Sequence, residues 1–79
     1  NYPVCFTAMF KNSAFNRDIS SWDISRSSCM NSMFNGAFNF NQDLSSWNVS
    51  HVQNCDEFWK SADSWVLPKP NFINCDPTQ

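Results

Sequence analysis

The sequence predicts an α/β repeat protein, a short solenoid of two to three turns. Each turn is expected to be a short strand plus a short helix, with a C-terminal cap. Three observations predict it. The stretch "FNRDISSWDISR" from Phe15 returns as "FNQDLSSWNVSH" from Phe40, 25 residues on, with seven of twelve positions identical. Val52, Cys55, Phe58, Trp59 and Ala62 fall at i, i+3, i+6, i+7 and i+10, a helical spacing. Trp47 and Val49 alternate as in a strand.

The period runs beyond the quoted words. Met33-Phe34 lies 24 residues after Met9-Phe10, and Phe58-Trp59 lies 25 after Met33-Phe34. Across a one-residue deletion near Ser13, Cys5 aligns with Cys29. Phe6, Met30 and Cys55 then share a column, as do Phe10, Phe34 and Trp59. Self-similarity at this period marks a stacked array, in which one copy buries its apolar face only against its neighbour. Ser50 is the expected N-cap of a helix over "HVQNCDEFWKSA", with Asp56 and Glu57 early in it. "SSCMNSMFNGA" is the equivalent helix one turn earlier, "DLSSWNVS" the strand, and "FNRD" and "FNQD" the connections. Residues 1–67 thus hold the stacked repeats (partial, full, partial). Residues 68–79 form a capping tail, where two prolines stop a helix and Phe72 and Ile73 cover the last turn.

The composition narrows the function. Seventy-nine residues make one small domain with a marginal core. Net charge is −2 with no cluster of Lys or Arg, which argues against a nucleic-acid partner. No apolar run is long enough to span a bilayer. The opening "NYPVCFTAMF" lacks the charged start and long apolar run of a signal peptide. Four cysteines, an even count, suggest two disulfides and an oxidising compartment. There is no C-x-x-C, and the lone His51 stands four residues before Cys55, so neither zinc nor another cofactor is expected. Three connectivities are open. The aligned columns favour Cys5–Cys29 with Cys55–Cys75, and the crossed pairings would span more than one turn.

The repeat core, "FNRDISSWDIS" at Phe15–Ser25 and "FNQDLSSWNVS" at Phe40–Ser50, is followed by Met30, Met33-Phe34, Ala37 and Phe40-Asn41. It resembles the BspA-like leucine-rich-repeat surface proteins, which carry tandem repeats of this length on bacterial and protist cell surfaces. The resemblance covers residues 5–67. It implies a leucine-rich-repeat-like solenoid acting in adhesion and surface interaction, with no shared catalytic residues. Cys29, Cys55 and Trp59 depart from the smaller or Met/Phe residues usual in those columns.

Several residues stand out by column. Asp18 and Asp43 are equivalent, and stacking brings equivalent residues to about 5 Å. They either cap backbone N–H groups in their own turns or share a cation such as calcium, with Asn16, Asn41, Asp23 and Asn48 as the only nearby ligands. Asn16 and Asn41 read as a ladder that satisfies backbone groups from turn to turn. Trp22 and Trp47 read as core packing, with an aromatic platform for a sugar or partner as the other reading. Asn48-Val49-Ser50 is a glycosylation sequon. No Gly-x-Ser-x-Gly elbow or triad-like spacing involves His51, so the chain is not expected to be an enzyme.

Three functions follow. The first is an extracellular or cell-surface repeat module for adhesion or protein–protein interaction. The second is a self-assembling subunit of an extracellular filament or coat, since the N-terminal end begins in helix phase with no polar cap. The third is a glycan- or surface-binding module using the repetitive face.

Overall fold

The computed structural model describes residues 4–79; residues 1–3, which open the expected repeat region, lie outside the described residues. Among the described residues there is no helix and there are only two short strands, β1 (Val4–Cys5) and β2 (Ser27–Cys29), paired in parallel. This overturns the α/β solenoid of strand-plus-helix turns. Ser50 caps no helix, "SSCMNSMFNGA" and "HVQNCDEFWKSA" are chains of turns, and "DLSSWNVS" is not a strand. The protein is a small disulfide-rich domain whose copies lie side by side in register.

Six left-handed residues explain the missing helices. Ala8, Ser32 and Glu57 have φ of 57°, 59° and 57°, and Asn12, Gly36 and Ser61 have 58°, 73° and 61°. Each triplet is one column of the repeat, and the two columns are four residues apart. A left-handed residue every fourth position breaks the right-handed run that an α-helix needs. The amides then divide between two uses. Met33, Asn35 and Ala37 donate three residues back, to Met30 O, Ser32 O and Phe34 O. Met30, Ser32, Phe34 and Gly36 donate instead to the third copy, at Asn54 O, Asp56 O, Phe58 O and Lys60 O. The first copy does the same, with Phe6, Ala8, Phe10 and Asn12 donating to Cys29, Asn31, Met33 and Asn35. At Gly36 an added Cβ would run into the Asn12 Oδ1 of the neighbouring copy, so the one glycine sits at a close approach between two copies.

The same geometry accounts for the helix-like spacing. A turn repeated every four residues buries i, i+3, i+4 and i+7, as does a helix with 3.6 residues per turn. Met30, Met33, Phe34 and Ala37 are accordingly all buried. The deletion falls between Asn12 and Ala14. Asn12 lies in register with Gly36, 24 residues on, whereas Asn39 Nδ2 donates to Ala14 O, 25 residues back.

The core is an aromatic stack centred on the fully buried Phe34. Its ring centroid lies 5.4 Å from Phe10, 4.2 Å from Phe40, 5.3 Å from Phe58 and 5.1 Å from Trp65. Rings from all three copies therefore meet at Phe34, and no single copy supplies a core. The first copy is the least covered. Phe6, Phe10 and Phe15 are only partly buried, while their second-copy equivalents Met30, Phe34 and Phe40 are fully buried. In the third copy Pro68 O accepts from Leu44 N–H, and Phe72 packs 4.8 Å from Phe58.

Candidate functional site

The polar side of each copy is built from one three-residue unit, Asp or Asn, then a middle residue, then Ser or Thr. It occurs at Asp18-Ile19-Ser20, Asp23-Ile24-Ser25, Asp43-Leu44-Ser45, Asn48-Val49-Ser50 and Asp76-Pro77-Thr78. In each, the acidic or amide Oδ1 accepts the N–H two residues on, at 2.9, 3.0, 3.0, 3.2 and 2.9 Å in turn. Such turns satisfy the backbone locally and need no partner strand. Ile19, Ile24, Leu44 and Val49 are buried, while the acidic and amide residues beside them stay exposed.

These bonds hold the carboxylates in the charged form. Asp18 lies below the usual carboxylate range chiefly through the Ser20 N–H. Asp23 and Asp43 are lowered chiefly by the hydroxyls of Ser25 and Ser45, and Asp76 chiefly by the Gln79 amide. Asp18 and Asp43 line one shallow depression with Gln42 and Leu67 between the copies. Each is engaged by its own turn. Among the described residues there is no group of three His, Cys, Asp or Glu side chains placed to hold a metal ion.

Asn16 Oδ1 accepts from Asn41 N–H at 2.9 Å and from Gln42 Nε2 at 2.9 Å. Asn41 Oδ1 accepts the N–H groups of Val66 and Leu67 in the third copy, at 2.9 and 3.0 Å. The two tryptophans differ. Trp47 is buried, and its Nε1–H donates to Ile19 O of the first copy at 3.2 Å. Trp22 is 37% exposed and lies against Phe6 and Phe10 at 6.3 and 5.9 Å.

The "SSW" arcs of the first two copies together wall an open groove of about 450 Å³. Trp22, Asp23 and Ser25 come from one copy, and Ser46, Asn48 and His51 from the next. His51 Nε2 lies 2.9 Å from Ile24 O. A carbonyl only accepts, so Nε2 carries the proton, and in the neutral ring Nδ1 is then an acceptor. The groove thus offers an indole, a carboxylate, an amide and hydroxyls, a set suited to recognition by hydrogen bonding and apolar contact.

Two disulfides brace this frame. Cys5–Cys29 joins equivalent positions of the first two copies, and Cys55–Cys75 ties the buried start of the third copy to its end. Sequence reasoning singled out the repeated Asp, Asn and Trp columns but missed His51 and Ser46 as groove residues. It offered backbone capping by Asp18 and Asp43 in their own turns as one of two readings, but missed that the same three-residue unit recurs five times in the sequence.

The family described as "Mycoplasma protein of unknown function, DUF285" matches residues 4–74, nearly the whole chain, and the chain belongs to that family. No curated protein and no solved structure matches the chain. Among the described residues no helix is long and apolar enough to cross a membrane.

Proposed function

We propose that the chain is a non-enzymatic extracellular or cell-surface repeat module that binds a protein or cell-surface partner in adhesion. The observation that carries this reading is the groove walled jointly by the two copies of the repeated motif, with its exposed Trp22, Asp23 and Asn48. The two disulfides support an oxidising location. Family membership and the resemblance of "FNRDISSWDIS" and "FNQDLSSWNVS" to BspA-like surface repeats support a surface role. In this reading residues 1–67 present the groove, and residues 68–79 seal the far end through Phe72 and Cys75.

The test uses labelled, oxidised protein on intact cells and on immobilised extracellular-matrix proteins. Ser46 is exposed and takes part in no side-chain hydrogen bond among the described residues, so Ser46→Arg places a long charged side chain in the groove without touching the core. Saturable binding by the parent, weakened about tenfold or more in Ser46→Arg at unchanged melting temperature, is expected for a contact central to an interface. Equal binding by both proteins, or no binding to any surface offered, refutes the reading.

A further inference from the structure

The geometry points to a neutral sugar ring, carried by the partner and held by two neighbouring hydroxyls, as the ligand of the groove between the first two copies. This rests on that groove being the binding site, and it names the chemistry the site reads. The groove is a lateral feature of the stack. Both of its walls belong to adjacent copies within the described residues, with Asp23 on one side and Ser46, Asn48 and His51 on the other.

The turn units fix which polar atoms are left for a ligand. Asp23 Oδ1 accepts both the N–H and the hydroxyl of Ser25, and Asn48 Oδ1 accepts both from Ser50. The second atom of each side-chain head, Asp23 Oδ2 and Asn48 Nδ2, makes no hydrogen bond among the described residues. Both residues are exposed and both line the groove. They share one column of the repeat, 25 residues apart, and stacking brings such pairs to about 5 Å. A carboxylate oxygen only accepts and an amide nitrogen only donates. The joint between the copies therefore presents an acceptor beside a donor. The neighbouring depression differs. There Asp18 and Asp43 share a column, and each leaves a free Oδ2, so that joint presents two acceptors of like charge.

An acceptor beside a donor fits a carboxamide or a vicinal diol, and the rest of the lining decides between them. Ser46 Oγ makes no hydrogen bond among the described residues, and the neutral His51 ring adds an acceptor at Nδ1. One carboxamide cannot use four such groups. Successive hydroxyls of a sugar ring can, because each hydroxyl both donates and accepts. Trp22 and Trp47 also line the groove and supply apolar surface for the carbon face of a ring. At about 450 Å³ the groove falls in the size range of small-ligand sites, about 300–1,000 Å³. Charge sets the remaining choice. No Lys or Arg lines the groove, and Asp23 is held charged by its Ser25 bonds. A carboxylated or sulfated sugar is therefore repelled, and a neutral one is accepted.

The probes are the methyl glycosides of mannose, galactose and glucose, titrated to the limit of their solubility into the full oxidised chain and followed by NMR. At least one is expected to shift the Ser46 amide and the Asn48 side-chain amide saturably, and the methyl glycoside of glucuronic acid is expected to shift neither. Asn48→Asp keeps the turn but turns the donor into a charged acceptor, and it is expected to weaken glycoside binding about tenfold at unchanged melting temperature. Asp18→Asn, a similar exchange outside the groove, is expected to bind like the parent. No saturable shift with any neutral glycoside overturns the inference. So does equal binding by Asn48→Asp, or tighter binding of the glucuronide. Binding to cells separates this failure from that of the groove itself. Periodate cleaves vicinal diols, so periodate-treated cells, reduced afterwards to remove aldehydes, are expected to lose the protein. Undiminished binding to treated cells that Ser46→Arg still abolishes keeps the groove and overturns the sugar.

Discussion

Replacing Ala8 and Ser61 by glycine separates turns from helix by the sign of the effect. Both residues are exposed, with φ of 57° and 61°, and neither side chain makes a hydrogen bond among the described residues. A non-glycine residue in the left-handed region is disfavoured by roughly 1–2 kcal/mol. Glycine removes that penalty but loses more backbone entropy on folding, roughly 0.5–1 kcal/mol relative to alanine. The difference leaves a net gain of about 0.5–1 kcal/mol per site. For a domain of this size the pair raises Tm by roughly 5–10 °C. Were these segments helical, the same changes would lower stability by about 0.5–1 kcal/mol each, since glycine is a poor helix former. Urea unfolding of Ala8→Gly, Ser61→Gly and the double variant, read as a shift in midpoint at constant slope, measures the sign directly. A lower midpoint in either single variant would refute the left-handed turns and the account of the missing helices built on them.

Two further outcomes follow from the bonds described. Disulfides closing separations of 24 and 20 residues each contribute about 3 kcal/mol by loop entropy, against a total of roughly 4–12 kcal/mol expected for 79 residues. Reduction is therefore expected to unfold the chain at ambient temperature, and a reduced sample with an unchanged melting curve contradicts this. Asp18, Asp23, Asp43 and Asp76 are all held below the ordinary carboxylate value of about 4. Their contribution is complete above that pH and is lost as pH falls through their lower folded values, so Tm should be flat with respect to these groups near neutrality and decline below about pH 4. Asp43→Asn keeps the acceptor without its titration and should flatten the acid limb; a steeper limb argues against the assignment.

The repeat, its period and the place of its deletion were legible in the sequence because equivalent residues bury equivalent surface. Phe6, Met30 and Cys55 fall in one column in the hydrogen-bond register, as do Phe10, Phe34 and Trp59. The secondary structure was not legible, for a specific reason. Apolar spacing reports which positions face the core, and a four-residue turn repeat and an α-helix place nearly the same positions there. The distinguishing signal is the residue at the left-handed positions, and only Gly36 and Asn12 are of a kind that favours that region; Ala8, Ser32, Glu57 and Ser61 give no warning. The groove was half legible. Trp22 and Trp47 occupy one column, yet one is exposed and the other buried. Position in the stack decides this, since Trp47 has the first copy above it and Trp22 has none among the described residues.

The turn unit also changes the meaning of Asn48-Val49-Ser50. Read as a sequon, it is a modification signal. Set beside Asp18-Ile19-Ser20, Asp23-Ile24-Ser25, Asp43-Leu44-Ser45 and Asp76-Pro77-Thr78, it is the one member of five that carries Asn where the others carry Asp. The geometry is shared. Asn48 Oδ1 accepts both the N–H and the hydroxyl of Ser50, as Asp43 Oδ1 does from Ser45. Acceptance needs only an oxygen two residues ahead of the Ser, so Asp and Asn are interchangeable to the fold. The requirement for a turn with a buried middle residue and a hydroxyl behind it is therefore sufficient to generate the sequon pattern. Any glycan at Asn48 would have to be established on its Nδ2, the one polar atom of that side chain which the turn does not use.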